Sequence, residues 1–138
     1  SGGDTEPAEQ LGDIVHAFGL VSVQIDVEGE LPSDARVAAA FLQIIREAST
    51  NATKHAQAHQ VHVRLRQETS EDGAVARMAV SNDGAPAPVS YREGTGIPGM
   101  RHVAQNLGGS LEVHTAPPFT LTVSIPLASN ATVQRRSS

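Results

Sequence analysis

Neither cysteine nor tryptophan occurs in this chain of 138 residues, and its aromatic side chains amount to three Phe and one Tyr. Without thiols there is no disulfide framework and no thiolate metal site, which fits a reducing compartment. A core must be assembled from Val, Ile, Leu, Ala and Met. No apolar run approaches the roughly 20 residues of a membrane helix, and the polar, glycine-rich opening SGGDTEPAEQ is unlike a signal peptide. Positive charge is not in surplus either: the formal net charge is −5, and the basic residues are scattered apart from Arg135 and Arg136. Nucleic-acid binders cluster Lys and Arg, so that class of partner drops out. The expectation is a cytoplasmic piece that touches neither nucleic acid nor membrane.

What is present suits one domain. Residues 1–8 and the tail 129–138 (SNATVQRRSS) cannot bury apolar surface and read as a disordered lead-in and a disordered tail, leaving 9–128 as the domain. Leu11, Ile14, Val15 and Phe18 recur at helical spacing over 9–18, stopped by Gly19. Val21, Val23, Ile25 and Val27 alternate with polar residues, as in a half-buried strand. A long helix is predicted from an N-cap at Ser33 through DARVAAAFLQIIREASTNATKHA. Strands follow over 59–67 and 75–82, joined by a turn at SEDG. A proline-interrupted loop runs from Gly84 to Ile97. The helix 98–107 stops at Gly108-Gly109, and SLEVHT and FTLTVSIPL close the domain as strands. This order predicts an α+β fold: a two-layer sandwich with about three helices on one face of a mixed sheet.

At 100° per residue, Val37, Phe41, Ile44, Ala48 and Ala52 share one face of the long helix. Glu47, Asn51 and Lys54 fall within an arc of roughly 60° at its edge, and His55 lies between that stripe and the core. An amide buried there without a partner costs about 1–3 kcal/mol. Asn51 therefore either bonds a neighbouring loop, or works with Glu47 and Lys54 on a polyphosphate and its metal. Oxygen ligands suit Mg2+, and Lys54 and His55 suit phosphate oxygens. His55, His59 and His62 also raise a zinc reading. It fails because Ala56 stands where a zinc-protease helix has Glu, and His62 belongs to a strand.

Gly94-Thr95-Gly96-Ile97-Pro98-Gly99 matches GxGxxG. A dinucleotide fingerprint needs a strand just before it, and APAPVSYRE is not one. What remains is the physics of the pattern. Glycines let backbone N–H groups approach an anion, and the following helix points its positive end at it. The alternative is a surface loop with a glycine hinge. Upstream, alternation along VARMAVSN turns Met78, Val80 and Asn82 inward and leaves Asp83 to cap the turn or meet solvent. An inward Asn has both a donor and an acceptor, enough for the amino group and a ring nitrogen of adenine. It would exclude guanine less strongly than a carboxylate does.

These three segments together resemble the ATP-binding catalytic domain of two-component sensor histidine kinases, of the GHKL or Bergerat type. The resemblance spans roughly residues 11–127 and is nearest the branch that pairs with LuxR-type response regulators. Glu47, Ala48, Asn51, Lys54, His55 and Ala56 match the family's E-A-x-x-N-x-x-K-H-A box, and GTGIPGMRHVAQNLGGSLEV its G-x-G-x-x-G-M-R-x-R-x-x-x-L-G-G segment. His102 and Val103 replace the usual pair in the second. The resemblance implies the cofactors ATP and Mg2+. It makes Asn51 the metal ligand, puts Lys54 and His55 on phosphate, and lets Glu47 orient a metal-bound water; Glu47, Asn51 and Lys54 are then the catalytic set. Gly94, Thr95, Gly96, Ile97, Gly99 and Met100 would wrap the triphosphate. Asn82 and Gly84 would meet adenine, with Thr120 at the back of its pocket.

Two boxes depart from the family. Asn82 stands where Asp usually receives the adenine amino group, and Pro86 replaces the box's second glycine. Pro118 stands where the last box has glycine. No histidine here is followed by Asp or Glu, as family acceptors are, and no dimerising hairpin is recognisable. The resemblance thus implies a monomeric catalytic domain serving the phosphoacceptor and dimerisation hairpin of a homodimeric kinase, with a response regulator downstream. Alternatives are an anti-sigma-type serine kinase, a nucleotide-binding module without transfer activity, and an interaction domain that binds no nucleotide.

Overall fold

The computed structural model describes residues 6–84 and 96–127, with the backbone alone at His55. Its elements run α1 (Pro7–Gly19), β1 (Gln24–Glu28), α2 (Ala35–His55), β2 (Gln60–Ser70), β3 (Gly73–Asn82), α3 (Ile97–Asn106), β4 (Ser110–His114) and β5 (Thr120–Leu127). The five strands form one sheet in the order β1-β2-β3-β5-β4. β1 pairs with β2 in parallel, the connection being α2, and the other three pairings are antiparallel. The predicted mixed sheet and α+β sandwich are therefore present.

Local chemistry moves several boundaries. The α2 cap is Asp34, not Ser33: its backbone is extended, and its Oδ1 accepts from the N–H groups of Arg36 at 2.9 Å and Val37 at 3.3 Å. A carboxylate one residue later reaches the free first-turn donors that the Ser33 hydroxyl was expected to meet. Gly19 is not a left-handed stop. α1 instead ends in a tight turn, with N–H bonds from Val21 and Val23 to the Phe18 carbonyl and from Ser22 to that of Gly19. That turn takes up Leu20 and Val21, which are 73% and 59% exposed, so β1 begins at Gln24 rather than at Val21. Downstream, β2 and β3 are longer than their alternation suggests, pairing from Val61 with Asn82 out to Ser70 with Gly73. α3 closes on two backbone bonds, from Gly108 N–H to the Gln105 carbonyl and from Gly109 N–H to that of Ala104. This is the glycine-ended motif that satisfies a helix's last carbonyls.

Between the layers lies a core without tryptophan, as the composition requires. Phe41, Ile44 and Ile45 of α2 are fully buried against Val61 and Val63 of β2, Met78 of β3, and Leu121, Val123 and Ile125 of β5. The helix face expected from Val37, Phe41, Ile44, Ala48 and Ala52 is buried throughout. On the opposite face of the sheet the arginines alternate outward and pair with acids. Arg77 Nε meets Glu68 at 2.7 Å while its Nη1 donates to the Ser124 hydroxyl at 2.7 Å, and Arg64 and Arg66 lie beside Glu28 and Glu68. No helix among the described residues is long and apolar enough to cross a membrane.

Candidate functional site

At the end of α2 the two layers do not quite close. Ala48, Asn51 and Ala52 from α2, Val61 from β2, Val80 and Asn82 from β3, Ile97 and Met100 from α3, Phe119 just before β5, and Leu121 from β5 surround a cavity of about 10 Å3. That is space for a single water at most. The helix turn facing it carries alanines at 48 and 52, so α2 leaves a gap there that larger side chains would fill.

Asn82 enters this cavity from the inward register of β3, as alternation predicts, and is 7% exposed. Its backbone N–H donates to the Phe119 carbonyl, and its Oδ1 accepts from Gly84 N–H at 2.8 Å. A backbone N–H can only donate, which fixes the amide: oxygen toward Gly84, nitrogen on the other side. Gly84 itself lies against the end of α2, where any Cβ would overlap the carbonyl and Cβ of Ala56. Asp83 faces out. Its Oδ1 accepts from the N–H groups of His59 at 2.9 Å and Gln60 at 3.0 Å, tying the start of β2 to the end of β3. The Gln60 bond first and the His59 bond after it hold the Asp83 carboxyl below the ordinary aspartate range, partly opposed by desolvation.

Asn51 is 7% exposed, and its Nδ2 is buried with no hydrogen-bond partner among the described residues. Gly96 stands directly over it. The backbone there is left-handed (φ 99°), and a Cβ would come within 3.1 Å of Glu47 Oε1 and 3.5 Å of Asn51 Nδ2. Only glycine combines that conformation with so close an approach. Gly96 is also the N-cap of α3 and offers no side chain to the free N–H groups of the first turn, which leaves the positive end of α3 beside Glu47 and Asn51. Ile97 and Met100, buried on the inner face of α3, line the cavity, while Gly99 is exposed.

The structure thus brings Glu47, Asn51, Asn82, Gly84, Gly96, Ile97 and Met100 to one end of α2. Lys54 is exposed one turn from Asn51. Thr120 does not join them: its neighbours Phe119 and Leu121 line the cavity, and its hydroxyl donates to the Pro118 carbonyl at 2.8 Å. Gly94, Thr95 and Pro86 lie outside the described residues, as does the side chain of His55. Val61, Val80, Phe119 and Leu121 were not singled out as site residues. In sequence they look like any other inward strand position, and only their nearness to the α2 alanines distinguishes them. No cluster of three or more His, Cys, Asp or Glu able to hold a metal occurs among the described residues.

Comparison with known proteins finds likenesses of the fold. The chain resembles the blue-light activated histidine kinase of Erythrobacter litoralis EL346, with 24% identity, a TM-score of 0.63, and coverage of 88% of this chain and 42% of that one. The histidine kinase domain of the same protein gives 25% identity and a TM-score of 0.62, over 88% and 59% of the two chains. The ATP binding domain of PrrB from Mycobacterium tuberculosis shares 18% identity with a TM-score of 0.65, over 88% and 94%, a likeness of fold. This chain therefore spans about half the length of the two kinase chains. No curated protein sequence matches it. The profile of the histidine kinase-, DNA gyrase B- and HSP90-like ATPases matches residues 37–129, more than half of the sequence, and the chain belongs to that family of ATPases.

Proposed function

We propose that the chain is the catalytic domain of a sensor histidine kinase, binding Mg2+-ATP and passing its γ-phosphate to a histidine on a separate dimerisation hairpin. The observation that carries this is the buried Asn51 Nδ2, without a partner among the described residues, beneath the positive end of α3 and next to a largely apolar cavity. The purine lies between α2 and the sheet, meeting Asn82 and Gly84. Its triphosphate runs out past Asn51 toward Gly96, the free N–H groups of α3, and Lys54. Phosphate oxygens there give Asn51 Nδ2 the acceptor it lacks. Gly94, Thr95, Gly99 and His55 complete the phosphate contacts. In the closed arrangement the cavity is far smaller than a purine, so Ile97 and Met100 must separate from α2 to admit one.

The donor set also fits magnesium. Glu47 and Asn51, one helical turn apart, offer a carboxylate and an amide oxygen, and Mg2+ takes few protein ligands beside waters and phosphates. Asn51 would offer its Oδ1 to the ion while Nδ2 stays on phosphate, so that both ends of the amide are used. Held by these residues, the ion would supply positive charge to offset the negative charge that develops during transfer. This chain's own work is positioning: α2 fixes Asn51 and Glu47, α3 supplies oriented backbone dipoles, and Lys54 adds a cation. The acceptor imidazole nitrogen bonds the γ-phosphorus as the bond to the β-phosphate oxygen breaks, and ADP departs. The acceptor hairpin belongs to the same kinase, a cytoplasmic homodimer, and a response regulator receives the phosphoryl group next.

Incubating the chain with labelled ATP, Mg2+ and its cognate hairpin should place acid-labile phosphohistidine on the hairpin and none on the chain alone. ATP binding without that label would favour a module lacking transfer activity, the second reading, which the replacements at Asn82 and Pro118 support. Label on serine of a partner protein would favour an anti-sigma-type kinase. A chain that bound no nucleotide would leave neither standing.

A further inference from the structure

The positive end of α3 already has an anion beside it, and that anion belongs to the protein. A Cβ placed on the N-cap Gly96 would lie 3.1 Å from Glu47 Oε1 and 3.8 Å from its carboxyl carbon, so the carboxylate stands against the start of the helix. No side chain caps α3, and Pro98 in its first turn has no N–H, which leaves the N–H groups of Ile97 and Gly99 without a side-chain acceptor. A second donor points to the same place: Asn51 Nδ2, on a residue 7% exposed, would lie 3.5 Å from that Cβ and has no acceptor among the described residues. Glu47 is exposed, and no Lys, Arg or His among the described residues lies within ion-pair distance of it. Lys54, the cation of the same edge, comes two helical turns later.

We propose that Glu47 is an internal competitor for the phosphate site, an anion that makes triphosphate binding conditional on a divalent cation. The proposal rests on the placement of the phosphates argued above. The start of α3 and Asn51 Nδ2 favour negative charge between them, and Glu47 supplies one such charge from within the chain. A triphosphate without metal brings several more to the same place. Along the edge of α2 one cation, Lys54, is set against one carboxylate, Glu47, so the bare triphosphate gains no net positive charge from that helix. A divalent cation reverses the sign at one point: the carboxylate that repels phosphate becomes a ligand of the metal carried with it. Removing the charge of Glu47 while keeping its shape therefore weakens binding of the metal complex and strengthens binding of the bare nucleotide. By linkage one residue sets both affinities. A Glu47 that served only as a metal ligand would produce the first effect without the second.

Calorimetric titration in low-salt buffer, with ATP in EDTA and with ATP in excess Mg2+, tests this without reference to phosphotransfer. Metal-free ATP is expected to bind Glu47→Gln about threefold or more tightly than it binds the unaltered chain, and Mg2+-ATP about threefold or more weakly, so the gain from Mg2+ shrinks by about tenfold. Metal-free inorganic tripolyphosphate should show the same gain, since no base takes part. Glu112→Gln removes an equal charge from the exposed outer face of β4 and should change neither affinity. Metal-free ATP that binds Glu47→Gln no better than the unaltered chain overturns the proposal, as does an equal gain in Glu112→Gln, which would make net charge the cause. Should Glu47→Gln fail to fold, Glu47→Ala, a favourable helix substitution, carries the same expectation. A chain that binds ATP neither with nor without Mg2+ overturns the nucleotide reading itself, a different failure from one whose metal dependence ignores Glu47.

Discussion

Asp83 and Asn82 are adjacent and chemically similar, yet the pleat of β3 sends one to solvent and the other to the cavity. Alternation is enough to say which is which, because a strand has period two and Met78 and Val80 mark its inner face. It cannot say what each side chain holds. That Asp83 ties the first residues of β2, and that Gly84 takes the acceptor of Asn82, depends on a strand more than twenty residues earlier and on a tight local turn. The Asp83 bonds have a testable consequence for stability. Its carboxyl is held below its unfolded value, so the stabilisation is complete above the ordinary aspartate value of about 3.9 and is lost as pH falls through the lowered one. The group is exposed, which screens the effect. Asp83→Asn is expected to lower the urea midpoint at pH 7 by the equivalent of about 1 kcal/mol or less, and the two proteins should converge in acid. A constant gap between pH 7 and pH 3 would show that the carboxylate charge contributes nothing.

At the scale of elements, α2 is the piece on which both layers and the site depend. One face packs the core through Phe41, Ile44 and Ile45, its edge holds Glu47 and Asn51, and its C-terminal turn abuts Gly84. The face was legible from spacing because the apolar positions recur without interruption. The start was not, since Ser33 and Asp34 are both good caps and only the chain's approach from β1 decides which reaches the first-turn N–H groups. The beginning of β1 was misleading for a related reason: Val21 continues the alternation, but the turn closing α1 takes it out of the sheet. Asp34→Ala removes acceptors for two N–H groups and should cost about 1 kcal/mol, whereas Ser33→Ala should stay within about 0.5 kcal/mol. Chemical denaturation of both variants distinguishes them, and equal losses would count against the Asp34 cap. The site's polar half was legible because its residues fall on one stripe and one glycine pattern. Its apolar half was not, since Phe119 and Leu121 reach it only through the pairing of β5 with β3.

For the molecule as a whole, the cavity and the buried Asn51 Nδ2, which has no acceptor among the described residues, are a cost carried by the fold. A buried donor without an acceptor costs about 1–3 kcal/mol, and a chain this size has only about 5–15 kcal/mol of stability in total. Binding should return that energy, because a ligand that binds only the folded state stabilises it by about 2.7 kcal/mol at one hundred times its Kd. For a domain between the usual size classes this amounts to a rise in Tm of roughly 10 °C. Asn51→Ala separates the two effects. Alanine suits a helix interior and leaves no unpaired donor, so the variant without nucleotide should melt no lower than the unaltered chain. Its response to Mg2+ and a purine triphosphate should shrink to a small fraction. If instead the variant melts several degrees lower while its ligand-dependent shift persists, Asn51 is a structural amide with a partner of its own, and the phosphates lie elsewhere.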